Sequence, residues 1–260
     1  MDSEVSVWLV FFGTTALVLF CVELGYRLGR AAHLRSEEEK ESPAAAMGGT
    51  ILGLVAFMLA FTFGIASSRL DLRKELIRDE ANAIETTYLR ADFLAPPDRE
   101  EVKRLLVRYL DARVSLSEAR SLQEIEETLR GTREIHDRLW AIAVEHGQRE
   151  LNSDVAALYI DSLNETFNLH HQRIAVGLQA RIPLGVWAAL YLLSVLGMIS
   201  MGYQSGITGS KRTGASLMLA LSFALVTSLI VALDRPTTSG FRLSQQPLID
   251  VRSRLGPDSE

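Results

Sequence analysis

Four uninterrupted apolar segments dominate the pattern of hydrophobic and polar positions along this chain. Residues 5–22, 42–68, 182–210 and 213–233 contain no charged side chain over 18, 27, 29 and 21 positions. A helix needs about 20 apolar residues to cross roughly 30 Å of hydrocarbon. The pattern therefore predicts a polytopic membrane protein, with two pairs of spans on either side of a charged middle region.

The charged middle region has the periodicity of amphipathic helices. Beyond Arg69 the helical pattern of the second span continues into a charged sequence without a breaker. One apolar stripe follows this helix at successive turns: Ile77, Ala81, Ile84 and Tyr88. We expect the Pro96-Pro97 pair to end it, because proline disfavours helix in the preceding residue and lacks an amide donor.

Three further helices follow, and their starts carry capping signals. Asp98 and Ser121 each precede a glutamate by three residues, which is the spacing of a capping box. The last of these helices begins near Asn152 or Ser153, and Gly147 is the expected end of the helix before it. The positions predicted to face the core are Val102, Leu105, Leu106, Tyr109 and Leu110, then Ile125, Leu129, Ile135, Leu139 and Ile142, then Val155, Tyr159, Leu163 and Phe167.

These elements predict an all-α integral membrane protein, with four transmembrane helices and a helical bundle inserted between spans two and three. Residues 1–68 hold the first two spans, 69–181 the water-exposed bundle, and 182–235 the last two spans. Residues 236–260 form a polar tail, with one short amphipathic turn at Leu248, Val251 and Leu255. No alternating pattern of useful length indicates a β-strand.

Composition narrows the possible functions. The net charge of −5 comes from residues of both signs without a basic block, so we expect no nucleic-acid partner. Cys21, the only cysteine, lies in the first span, which excludes a disulfide framework. The histidines form no i, i+4 pair and are expected at surfaces or interfaces: His33, His136, His146, His170 and His171. No phosphate-binding loop or hydrolase motif is present, and we expect no catalytic residue, metal, cofactor or enzymatic activity.

Two stretches together resemble a known family. The first is Glu80-Ala81-Asn82-Ala83-Ile84 with Tyr88-Leu89-Arg90-Ala91-Asp92, and the second is Ala232-Leu233-Asp234-Arg235-Pro236 with Gly240 and Arg242 downstream. The combination resembles a mostly bacterial family of four-span, bestrophin-like membrane proteins of uncharacterised activity. The resemblance implies a multi-pass homo-oligomer in the lipid bilayer of the bacterial inner membrane, with inorganic anions as candidate ligands.

The resemblance extends to true bestrophins, which are pentameric anion channels with a pore narrowed by side chains of span two. Phe57, Phe61 and Ile65 recur at i, i+4 and i+8 and share one helix face. A ring of phenylalanines can gate by dewetting while it presents positive ring edges to anions. The pore-lining candidates are Gly53, Phe57, Phe61, Gly64 and Ile65. Packing against lipid or a neighbouring helix is the alternative role, and the aromatic-rich motifs that follow span two in true bestrophins are absent.

Three polar residues lie closest to the hydrocarbon on the side of the bundle: Arg69, Asp234 and Arg235. If the ends of spans two and four are adjacent, Arg69 and Asp234 can pair there. Anchoring in lipid headgroups is the alternative role of these side chains.

The short loops indicate the orientation of the protein. Bases in the loops between spans one and two and between spans three and four are Arg27, Arg30, Arg35, Lys40, Lys211 and Arg212. Because basic short loops stay in the cytoplasm, we expect the bundle on the extracytoplasmic side. A basic cluster after span two, which includes Arg73 and Arg78, favours the opposite orientation.

Two classes of function remain open. The first is a homo-oligomeric ion channel with span two lining the pore. The second is a membrane-anchored helical scaffold or sensor that binds a protein partner. A secondary transporter is less consistent with the pattern, because its spans would carry charges and helix breaks near mid-membrane.

Overall fold

The computed structural model describes residues 7–34, 44–116, 121–149, 153–178, 181–209, 214–235 and 243–255. Some residues discussed above lie outside these ranges: Arg35, Lys40, Asn152, Lys211, Arg212, Pro236, Gly240 and Arg242. The described residues form the helices α1 (Val7–His33), α2 (Ala44–Arg90), α3 (Asp98–Leu116), α4 (Leu122–Arg149), α5 (Asp154–Leu178), α6 (Leu184–Ile207), α7 (Ala215–Asp234) and α8 (Gln246–Leu255). They contain no strand, and four helices are long and apolar enough to span a membrane. The prediction of an all-α membrane fold is confirmed.

The chain divides into two compact units. The membrane unit comprises Met1–Leu70 and Arg181–Arg242, and the helical unit comprises Asp71–Ala180 and Leu243–Glu260. Helix α2 runs without interruption from Ala44 to Arg90, as the pattern beyond Arg69 predicts. A 3-10 turn at Ala91–Phe93 ends it ahead of the two prolines.

Glycines hold α1 and α6 together in the membrane unit. A Cβ added at Gly25 would lie 2.1 Å from the carbonyl oxygen of Ile199, and one at Gly202 would lie 2.2 Å from that of Val22. Only residues without a side chain allow backbones this close, and such approach is a main source of helix association in lipid. The Thr14 and Tyr191 hydroxyls add one hydrogen bond of 3.1 Å across the same pair.

The core of the helical unit contains most of the apolar positions predicted from the sequence. Ile77, Ala81 and Ile84 are buried, together with all five positions named for α3. Ile135, Leu139, Ile142, Tyr159 and Leu163 are buried as well. Val155 is 44% exposed, so the prediction that it faces the core is wrong. It lies in the first turn of α5, ahead of the part of that helix that packs in the core.

The helix boundaries agree with the sequence at two starts and differ at one end. The Ser121 and Ser153 hydroxyls accept the backbone N–H groups of Glu124 and Ala156 at 3.1 and 3.2 Å. Gly147 does not end α4, which continues to Arg149. A glycine inside a helix costs only about 1 kcal/mol, so α4 continues through Gly147 to Arg149, whose side chain pairs with Glu145 and with Asp98.

The last described segment packs into the helical unit. Residues placed in a polar tail by the sequence form α8, and Leu248 and Val251 are fully buried in the core. Arg252 donates to Asp111 of α3 at 2.6 Å, and Arg254 pairs with Glu85 of α2 at 2.9 Å. The C-terminal segment therefore contributes to the core of the helical unit. That unit begins at Asp71, 175 residues before the start of α8 at Gln246.

Candidate functional site: an exposed face of α2 and a buried ion cluster

The two aromatic pore candidates lie on an exposed face of α2 in the membrane unit. Phe57 is 66% exposed and Phe61 is 55% exposed. Their rings stack with centroids 6.4 Å apart and planes inclined by 13°. In the described part of the chain nothing covers them, so this face is free to contact lipid, a second subunit or a pore.

The remaining candidates differ in their surroundings. A Cβ added at Gly53 or Gly64 would meet no atom within 4 Å, so both glycines belong to the exposed face. Ile65 is half-buried and packs against the cluster formed by Ala66, Ile182, Ile230 and Leu233. Four of the five candidates are therefore uncovered, whereas Ile65 supports the packing of α2 on α6 and α7.

The polar residues at the end of α7 join three segments of the membrane unit. Asp234 is buried, with 4% of its side chain exposed, and its Oδ1 accepts the Ile182 N–H at 3.1 Å. The same oxygen lies 3.6 Å from Nη1 of Arg69, which forms the pair considered from the sequence. Arg235 follows as the C-terminal cap of α7, and its N–H donates to the Val231 carbonyl. One carboxylate thus connects the end of α7, the approach to α6 and the middle of α2.

A second polar site lies inside the helical unit, around a carboxylate with no exposed surface. Glu80 of α2 is 0% exposed and accepts a hydrogen bond of 2.5 Å from the Tyr109 hydroxyl. Arg113 Nε lies 3.0 Å from Glu80 Oε1, and its Nε and Nη2 donate to Oε2 at 3.3 Å. Arg173 of α5 also donates to Oε2. A buried carboxylate needs such partners, because desolvation of an isolated charge is costly.

The charged cluster extends to two buried histidines. Tyr109 donates to Glu80, so its oxygen accepts from His170 Nδ1 at 3.0 Å, which assigns the proton of the neutral ring to Nδ1. Burial and then the Arg113 charge lower the pKa of His170 to about 2. Burial and then His171 lower the pKa of His136 to about 4. Burial and the Glu80 charge raise the pKa of Tyr109 well above its usual value.

The histidines are expected at surfaces or interfaces, and a surface position is wrong for three of the five. His136, His146 and His170 are buried, and the rings of His136 and His170 are 4.6 Å apart. The spacing along the chain could not reveal this contact, because the two rings come from different helices, α4 and α5. In the described part of the chain, no three His, Cys, Asp or Glu side chains are grouped as metal ligands would be.

One feature of the sequence indicates the buried cluster. Arg113 continues the apolar row of α3 at i+4 from Tyr109, where a charge would be expensive without a partner. Glu80 is the first residue of the motif that carries the family resemblance. A charged residue at a core position on each of two helices predicts an ion pair between them, and Arg113 with Glu80 is that pair.

Comparison with known proteins gives a family and a fold. The bestrophin-like domain matches residues 12–248. A bacterial bestrophin homologue from Klebsiella pneumoniae superposes with a TM-score of 0.60 at 13% identity, covering 91% of this chain and 99% of that one. A second crystal structure, described only as a membrane protein, gives 0.56 at 14% identity, covering 90% and 98%. Among curated protein sequences, none matches significantly.

Proposed function

This chain belongs to the bestrophin-like family, and from that premise we propose that it is a homo-oligomeric anion channel with α2 lining the pore. The observation that carries the proposal is the uncovered face of α2, on which Phe57, Phe61, Gly53 and Gly64 lie together. Because this face lies uncovered in the described part of one chain, the conduction path that we propose runs along the axis of a ring of subunits.

The composition of this face suits a subunit ring. Gly53 lies four residues from Gly49, and neither has any atom within 4 Å of an added Cβ. Small residues at this spacing let a neighbouring helix approach closely in lipid. The phenylalanines can then form an apolar constriction that dewets when narrow and offers positive ring edges to an anion when wide.

The first experiment is the native mass of the detergent-purified protein. The proposal expects a closed assembly of four or more subunits. Anion efflux from liposomes then tests the pore, with Phe57→Ala and Phe61→Ala expected to raise efflux severalfold by widening the constriction. Phe20→Ala is the matched control, because Phe20 is also a span phenylalanine, 64% exposed on α1. A monomer, or equal effects of all three variants, would contradict the assignment of α2 to the pore.

The proposed location is the bacterial inner membrane, with the helical unit on the extracytoplasmic side. The basic residues of the two short loops support this orientation. In a Cys21→Ser background, a membrane-impermeant maleimide added to intact cells should label Glu127→Cys on α4 and leave Arg30→Cys on α1 unlabelled. Both positions are exposed. The reverse labelling pattern would place the helical unit in the cytoplasm.

A partner-binding scaffold is the second candidate, and it rests on a groove between α3 and α4. The groove has a volume of about 490 Å³, with Leu105 and Ile135 on its floor and Arg108 and Glu134 on its rim. Mixed charge around an apolar floor suits a peptide segment of a partner. A dimeric or monomeric protein without anion efflux would favour this function over the channel.

A further inference from the structure

The uncovered face of α2 has two unlike edges, one on each side of Phe57 in the membrane unit. A helix turns by about 100° per residue, so Leu54 and Met47 lie roughly 60° and 80° to one side of Phe57. They are 49% and 64% exposed, and we call them the large edge. On the other side, from roughly 40° to 100° away, every side chain over the same stretch is small and exposed. These residues form the small edge: Gly49, Gly53, Ala56 and Ala60.

Packing within one chain covers the opposite side of α2 instead. Val55 and Ala66 are buried, and they lie roughly 160° and 180° from Phe57. A Cβ added at Gly49 or Gly53 would meet no atom within 4 Å. An exposed glycine costs a helix about 1 kcal/mol relative to alanine, and only a closely approaching neighbour uses the space that it leaves.

The small edge also has the spacing of a seam between two helices. Its residues are separated by four, three and four positions, the alternation that keeps one line of side chains against a partner helix. Lipid tails cover large apolar side chains as well as a protein does, so the large edge alone would indicate nothing. The small edge offers space to a partner with large side chains, and the other edge of the same helix supplies them.

The two edges match each other in depth along the helix. In a ring of identical subunits, equivalent residues of neighbouring copies lie at the same level. At about 1.5 Å per residue, Leu54 lies roughly 1.5 Å beyond Gly53 and roughly 3 Å before Ala56. Met47 lies roughly 3 Å before Gly49. Each large side chain of one copy therefore lies at the level of a small residue of the next.

Unlike edges on opposite sides of Phe57 favour a ring over a twofold dimer. A copy that offers its large edge to one neighbour offers its small edge to the other, which is a heterologous contact. Contacts of this kind generate a ring when the rotation between copies closes. A twofold axis would instead place the small edge on itself and leave both large edges uncovered.

We propose that a second copy of this chain covers each edge of α2, with the large edge of one copy packed on the small edge of the next. This inference rests on the proposed function, in which α2 lines the pore, and it adds the surfaces that join neighbouring subunits. Phe57 lies between the two edges and so faces the axis of the ring.

Disulfide formation in native membranes tests this contact. The background is Cys21→Ser, because Cys21 is the only cysteine of the chain. We expect the double variant Leu54→Cys/Ala56→Cys, oxidised with copper phenanthroline, to give a ladder of covalent oligomers that extends beyond the dimer. The two positions lie roughly 160° apart on one helix, so they form no bond within a chain. Leu54→Cys and Ala56→Cys alone should remain monomeric, because neither edge meets itself.

The outcomes separate this contact from the channel. A covalent dimer from Ala56→Cys alone would overturn the proposal in favour of a twofold contact. Absence of the ladder in a protein with the native mass of four or more subunits would also overturn it, while the channel would stand. A monomeric native mass would overturn the channel and the shared edges together.

A change of side-chain size gives an independent test. Ala56→Leu fills the small edge, and we expect the native mass of the detergent-purified protein to fall to that of smaller species, mainly the monomer. Ala16→Leu is the matched control, because Ala16 is an exposed alanine in the span α1, and it should keep the native mass of the unaltered chain. Equal native masses of Ala56→Leu and the unaltered chain would contradict a close contact at the small edge.

Discussion

Replacing Gly25 with alanine should weaken the crossing of α1 and α6. The added Cβ would lie 2.1 Å from the Ile199 carbonyl oxygen and 2.9 Å from the Tyr203 backbone nitrogen. Ordinary contact begins near 3.4 Å, so the oxygen must retreat by about 1.3 Å, the difference between these two distances. Both obstructing groups are backbone, and therefore no side-chain rotation can relieve the overlap.

The magnitude follows from the contacts that the retreat would break. A Cβ added at Gly29, Gly202 or Gly206 would come equally close, at 2.0, 2.2 and 2.4 Å from a carbonyl oxygen of the facing helix. A Cβ replaces one α-hydrogen, so at each glycine a C–H group points at an oxygen. Each such C–H···O contact stabilises by about 0.5–1 kcal/mol. Separation of the helices along this row should therefore cost about 2–4 kcal/mol, which overlaps the roughly 1–3 kcal/mol that is typical of overpacked cores.

Thermal unfolding of the detergent-purified protein measures this cost. A loss of this size should lower the midpoint by on the order of 10 °C. Gly13→Ala is the matched control, because Gly13 lies on the same helix and an added Cβ there meets nothing within 4 Å. The control should be neutral or slightly stabilising, since alanine favours helix over glycine by up to about 1 kcal/mol. Equal midpoints for Gly25→Ala and Gly13→Ala would refute the argument that backbone contact holds these helices together.

Two further predictions concern buried charge and pH. Asp234→Asn keeps an acceptor for the Ile182 N–H but removes the charge facing Arg69, so it should destabilise by about 1–3 kcal/mol. The control is Asp71→Asn, which removes an exposed ion pair with Lys74 and should cost under about 1 kcal/mol. Similar shifts of the unfolding midpoint for Asp234→Asn and Asp71→Asn would count against a structural role of Asp234. Lowering the pH from 7 to 5 should cost about 2 kcal/mol for each of His136 and His170, because their pKa values are lowered to about 4 and about 2 in the folded chain and these histidines protonate near pH 6.5 once unfolded. Stability is thus lost as the pH falls below about 6.5, and denaturant unfolding across this range should give a slope that His136→Gln reduces by about half.

The sequence was sufficient wherever the physical cause is local. Span number follows from the length of uncharged segments, since hydrocarbon thickness sets the number of apolar residues that each helix needs. The continuation of α2 into the helical unit follows from the absence of a breaker, and the serine caps of α4 and α5 follow from the residue before each helix. These features depend on residues within one or two turns of each other.

Tertiary structure alone decided which distant residues meet. Glu80 and Arg173 are 93 positions apart, and they meet because α2 and α5 pack in one core. The same packing buried His136 and His170 and brought α8 into the helical unit. Local patterns predict α1 and α6 as apolar segments but not that they pack together. The close contact of four glycines with carbonyl oxygens of the facing helix depends on how the two helices cross. Periodicity determines which side of a helix is apolar, whereas the partner of that side is set by the free energy of the whole packed arrangement.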